Sequence, residues 1–223
     1  AHNNLGIVLQ SLGKLEDAIS HYRSSLTFRP KDANTHNNLG LAYLELEQGN
    51  AAIQEFQNAL SITTLYFEAH LNLGVAFTHV GRLEEAALAY QKAITIRSDN
   101  ADACNNLANT LRALGKHEEA IRSYQKAISL KPDFADAHNS LGNTLRDLGR
   151  REEAIASYQE AYEANPDLVV VRYNLGSTLQ ELGRVDEAIT YLGKTDTPLS
   201  RSAFLECVYS RGEQERFYQE LEQ

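Results

Sequence analysis

The sequence predicts an all-α array of antiparallel helix pairs, six repeats followed by a degenerate C-terminal helix pair. Three observations predict it. A leucine followed by a small residue returns every 34 residues, as Leu5-Gly6, Leu39-Gly40, Leu73-Gly74, Leu107-Ala108, Leu141-Gly142 and Leu175-Gly176. Within each interval the apolar residues recur at helical spacing in two segments, for example Ala137 to Leu148 and Glu152 to Ala164. Between the segments sits a glycine, which can end a helix by taking positive φ: Gly13, Gly81, Gly115, Gly149 and Gly183, with Gly49 slightly later in its unit.

The remaining columns keep the same phase. Alanine follows at Ala18, Ala52, Ala86, Ala120, Ala154 and Ala188, then Tyr22, Phe56, Tyr90, Tyr124, Tyr158 and Leu192, then Ser25, Ala59, Ala93, Ala127, Ala161 and Thr195. Small residues such as Gly142 and Ala154 let the two helices of a pair approach, and Tyr158 fills the wider space further along. Pro30, Pro132 and Pro166 close three units, replaced elsewhere by Thr64, Ser98 and Ser200; Asp32, Asp133 and Asp167 are N-cap candidates for the next first helix. These signals place repeats at about 1–32, 33–66, 67–100, 101–134, 135–168 and 169–198, the first lacking its opening turn. A capping pair is expected over 199–223. There Leu205, Tyr209 and Gly212 mimic a first helix and turn, and Phe217 and Leu221 give the second an apolar stripe beneath a polar face of Glu213, Glu215, Arg216 and Glu220. One helix pair cannot bury both its faces, so stacking on neighbours supplies the core.

A 34-residue period with these residues at these offsets resembles the tetratricopeptide repeat family, over about residues 1–200. The resemblance implies a right-handed superhelical solenoid whose first helices line a concave groove. Asn4, Asn38, Asn72, Asn106 and Asn174 precede the Leu-small pair, with Ser140 in the fifth unit. A second column runs Asn3, Asn37, Asn105 and Asn139, with Leu71 and Tyr173 as exceptions. Asparagine is a mediocre helix former, yet its amide carries donors and an acceptor. The first column resembles the asparagine ladder of the O-linked N-acetylglucosamine transferase subclass, which holds peptide main chain. That implies ligand contact for Asn38, Asn72, Asn106 and Asn174, with Asn109, Asn143, Arg112 and Arg146 on the same face at helical steps. The competing reading of the same column is hydrogen bonding between repeats. Members of the family that bind chaperone tails clamp a carboxylate with lysine; here those positions hold Asn37, Leu71, Asn105, Asn139, Glu68, Asp102 and Asp136, which disfavour one.

His2, His36, His70 and His138 share a column with Cys104 and Arg172, but each lies in a different repeat, too far apart for one metal's coordination sphere, so packing is expected and no metal site. Gly193-Lys194-Thr195 imitates the end of a phosphate-binding loop, yet Ala188 stands where that motif needs glycine. Carboxylate pairs such as Glu84-Glu85, Glu118-Glu119 and Glu152-Glu153 sit at helix starts, where they favour the helix dipole. No catalytic residue, cofactor or metal ligand is expected. A net charge of -9 disfavours nucleic acid, and no apolar run is long enough to span a membrane. Two cysteines, Cys104 and Cys207, suggest a reducing, cytoplasmic setting. A chain without methionine reads as a processed product or a segment of something longer. The expected function is a protein-interaction scaffold that takes an extended peptide or partner segment in the groove. The alternative is the substrate-recruiting arm of a larger glycosyltransferase, sulfotransferase or oxygenase. Self-association through exposed terminal helices is a third expectation.

Overall fold

A computed structural model describes residues 1–193 and 198–221, with no description of the side chains of 194–199 and 213–223. Among the described residues the secondary structure is all α-helix: α1 (His2–Ser11), α2 (Leu15–Phe28), α3 (Ala33–Glu45), α4 (Gly49–Ile62), α5 (Phe67–His79), α6 (Leu83–Ile96), α7 (Ala101–Ala113), α8 (His117–Leu130), α9 (Ala135–Asp147), α10 (Arg151–Ala164), α11 (Val169–Glu181), α12 (Val185–Leu192) and α13 (Pro198–Leu221). Helices α1 to α12 form six pairs in the register set by the 34-residue period. The chain divides into two compact units, Ala1–Glu119 and Ala120–Gln223, the division falling inside α8.

Each first helix ends in the same way. In the opening repeat Gly13 has φ 72°, and the Lys14 N–H donates to the Leu9 carbonyl at 2.9 Å. This six-to-one bond across a left-handed residue closes the helix and turns the chain back. Repeat two differs from expectation. Its left-handed residue is Glu47, φ 58°, and not Gly49, which opens α4. Gly49 is needed for space, because a β-carbon there would lie 2.5 Å from Val80 Cγ1 on the segment after α5.

The packing of each pair turns on the glycine of the Leu-small pair. A β-carbon at Gly6 would lie 2.5 Å from Tyr22, at Gly40 2.6 Å from Phe56, at Gly74 2.6 Å from Tyr90, at Gly142 2.5 Å from Tyr158 and at Gly176 2.5 Å from Leu192. The glycine therefore seats the bulky residue of the second helix directly; the expectation that Tyr158 fills a separate, wider space is corrected. The alanines of the second helices, such as Ala18, Ala52, Ala86 and Ala154, are fully buried.

Two of three expected N-caps also shift. Asp32 caps α3, its Oδ1 accepting from the Thr35 N–H at 3.2 Å. Asp133 and Asp167 lie one residue too early; Phe134 and Leu168 occupy the cap positions of α9 and α11 without a side-chain bond. Asn100 caps α7 instead, accepting from the Ala103 N–H at 2.7 Å. At the C-terminus one helix, α13, runs through Gly212 where a helix pair is expected. Gly212 does not take positive φ, and it follows Arg211 rather than the leucine or valine that precedes the turn glycines elsewhere. The apolar stripe and polar face expected of residues 213–221, and Lys194 and Thr195, concern side chains outside the described residues.

Candidate functional site

Within residues 1–119, α1 touches α3, α3 touches α5 and α5 touches α7, whereas among the described residues no contact joins α2 to α4 or α4 to α6. First helices thus crowd together and second helices fan apart, which puts the first helices on the inner side of the stack. In residues 120–223 the same relation joins α9 to α11 and α11 to α13. Both asparagine columns lie on these inner helices.

The two columns bond to each other. Asn38 Nδ2 donates to Asn3 Oδ1 at 3.2 Å, and Asn72 Nδ2 to Asn37 Oδ1 at 3.1 Å. In the second unit Asn174 Nδ2 donates to Asn139 Oδ1 at 2.9 Å and to Asn143 Oδ1 at 3.2 Å. Each bond ties one first helix to the next. Asn38, Asn72 and Asn106 are half-buried and Asn174 is buried. Asn109 is exposed on α7 beside half-buried Arg112, and Asn143 and Arg146 are half-buried on α9. Asn143 Oδ1 also accepts the Tyr158 hydroxyl at 2.8 Å, so the second helix reaches through to the inner face. Tyr22 does the same in repeat one: its hydroxyl donates to Gln10 Oε1 at 2.8 Å, and Gln10 Nε2 donates on to Glu45 Oε1 at 2.5 Å. Burial, then the Glu45 charge, push the Tyr22 phenol up to about 12.

One rung stands open. Asn105 is 8% exposed, and its Oδ1 is buried without a hydrogen-bond partner. Asn105 belongs to the second asparagine column and was not among the expected contact residues.

The histidine column closes the junctions between repeats. His36 Nε2 is 3.2 Å from the Pro30 carbonyl, His70 Nε2 2.9 Å from the Thr64 carbonyl and His138 Nε2 2.8 Å from the Pro132 carbonyl. Each ring satisfies a carbonyl at the end of the preceding unit, a structural use of the column. Among the described residues no group of three or more His, Cys, Asp or Glu could hold a metal ion, and no helix is long and apolar enough to cross a membrane.

The chain matches the profiles described as TPR repeat at residues 6–47, 108–149 and 142–183, and those described as tetratricopeptide repeat at 37–101 and 89–122. No curated protein matches the sequence. Among solved structures, MamA is 30% identical, with a TM-score of 0.70, and the match covers 72% of this chain and 94% of that one. MamA from Desulfovibrio magneticus RS-1 is 18% identical, with a TM-score of 0.71, covering 75% of this chain and 94% of that one. YrrB, described as a TPR protein with an unusual peptide-binding site, is 21% identical, with a TM-score of 0.67, covering 82% and 96%. With profiles covering most of the array, the helix pairs in the matching register and solenoid neighbours throughout, the chain belongs to the tetratricopeptide repeat family.

Proposed function

We propose that this chain is a non-catalytic interaction scaffold that takes an extended segment of a partner protein along the inner face of its first helices. Tetratricopeptide repeat proteins mediate protein–protein interaction, which sets the class; the inner-face amides suggest the mode. The observation that carries the reading is the open rung. A buried amide oxygen left unpaired costs roughly 1–3 kcal/mol, and a backbone N–H of a bound segment would satisfy Asn105 Oδ1. Asn106, Asn109 and Arg112 lie on the same helix, α7. The bonded rungs at Asn38, Asn72 and Asn174 keep part of their amides for a ligand; Asn143, whose oxygen accepts two bonds, offers its Nδ2, and Arg146 lies one turn further on. Main-chain recognition of this kind would resemble that of the asparagine ladder in the O-linked N-acetylglucosamine transferase subclass.

Peptides selected from a random library on the whole chain test the reading. Asn105→Ala removes an unpaired group, so the melting temperature stays level or rises while affinity for most selected peptides falls about tenfold. Asn72→Ala strands buried Asn37 Oδ1 and lowers stability by about 1–3 kcal/mol. Peptides bound equally by Asn105→Ala and the parent would remove the groove reading.

Self-association is the second part of the proposal. Leu5, Ile7, Val8 and Leu12 leave an exposed apolar stripe on and just after α1. Light scattering is expected to show a dimer that Val8→Glu returns to monomer; a monomer at every concentration would end this part.

A further inference from the structure

A second cleft lies away from the inner face. Within residues 1–119, α4 and α6 stand apart over α5, and between them opens a cleft of about 680 Å³. That size falls in the range of ligand-binding pockets. Three of its lining residues depart from their repeat columns. Leu65 stands where other units have Lys31, Asp99, Asp133 and Asp167. Leu88 stands where they have Ser20, Gln54, Arg122, Ala156 and Thr190. Ala89 replaces His21, Glu55, Ser123, Ser157 and Tyr191. Leu65 is 77% exposed and Leu88 64% exposed. Leu65 and Leu88, large exposed apolar residues gathered at one cleft where the other repeats carry polar or small ones, are not needed by the array itself, since those repeats stack without them.

The Ala89 departure has a chemical consequence. In repeat two, His36 Nδ1 meets Glu55 Oε2 at 2.6 Å. In repeat three the same position of the second helix is Ala89, and His70 Nδ1 is buried with no partner. His70 is 8% exposed and lines the cleft. Its Nε2 faces the Thr64 carbonyl, which only accepts, so Nε2 carries the proton and Nδ1 is a bare acceptor. Burial lowers the pKa of the ring, against the pull of the Thr64 carbonyl and with the help of the Lys92 charge, and this keeps it neutral. Lys92 is the one lysine or arginine among the described residues lining the cleft; Glu85, the one carboxylate among them, is paired with Arg82.

We infer that the cleft between α4 and α6 docks a tryptophan side chain of a partner protein, flanked by an acidic residue. The indole ring packs on Leu65, Phe77 and Leu88, its N–H donates to His70 Nδ1, and the neighbouring carboxylate meets Lys92. The apolar departures favour an aromatic, the orphaned nitrogen demands a donor, and the unmatched cation favours an acid. The surface differs from the inner face, so either reading can fail alone.

The chain contains no tryptophan, so the fluorescence of an added peptide reports its own environment. The probe is acetyl-Asp-Trp-Leu-amide titrated with the whole chain. The expected result is a saturable blue shift, together with a changed ¹⁵N resonance at His70 Nδ1. Methylation of the indole nitrogen should weaken binding about tenfold, since it leaves the acceptor unpaired. Lysine in place of the peptide aspartate should also weaken it. Leu88→Arg, at an exposed position and checked by an unchanged helical spectrum, should abolish it. No saturation at the solubility limit, equal binding of the N-methyl peptide, or binding that survives Leu88→Arg would each overturn the inference.

Discussion

Glu47 holds a conformation that five other repeats give to glycine. A side chain in the left-handed region places its β-carbon against the following carbonyl, at a cost of roughly 1–2 kcal/mol. Glu47→Gly relieves that strain but adds freedom to the unfolded chain. The expected net gain is about 1 kcal/mol, read as a melting temperature a few degrees higher; a lower one would mean that the Glu47 side chain holds the turn. Tyr22 makes a different residue-scale prediction. Its phenol is raised to about 12 in the folded chain from an ordinary 10.0. The folded state resists ionisation that the unfolded state accepts, so this stability is complete below pH 10 and is lost as the pH climbs toward 12. Tyr22→Phe should flatten the fall in melting temperature over that window. Tyr90, also raised by burial, leaves a residual slope. Identical slopes in the parent and Tyr22→Phe would place the alkaline loss elsewhere.

At the scale of the helix the sequence was legible wherever one residue type suffices for one job. The Leu-small pairs set the register, because a β-carbon at Gly6, Gly40, Gly74, Gly142 or Gly176 collides with the bulky residue opposite. Five turn glycines marked five helix ends. Legibility failed where two residue types can serve. Left-handed φ falls on Glu47 while the glycine two residues later is required by Val80, so composition pointed to the wrong residue. At the caps the period was the finer guide: Asp32 and Asn100 share one repeat column and both accept a helix N–H, whereas Asp133 and Asp167 stand one position before it. The C-terminal pair became one helix because a glycine ends a helix only if its backbone turns, and nothing in the residues around Gly212 forces that. The candidate site was half legible. The amide columns were visible, but their mutual bonds depend on the offset between adjacent helices. The value of Asn105 lies in a missing partner, which no single column displays.

For the molecule as a whole, connectivity decides how damage spreads. Within each unit the contacts join a helix to the next one in sequence or a first helix to the next first helix, and among the described residues of a unit none reaches further. Stability is then a sum of repeat terms and nearest-neighbour terms, and local opening need not be global. Gly142→Ala puts a methyl where Tyr158 Cε1 lies 2.5 Å away. The ring is fully buried and cannot swing aside, so the overpacking costs about 1–3 kcal/mol. Native-state hydrogen exchange should show that loss in α9 and α10, spreading to α11, which packs on both. The amides of α12 should keep more of their protection, because among the described residues α12 touches neither α9 nor α10. A globular protein with one shared core would lose protection everywhere by the same amount. Uniform loss in Gly142→Ala would therefore show that the repeats unfold as a single cooperative body, and that the nearest-neighbour account of this array is wrong.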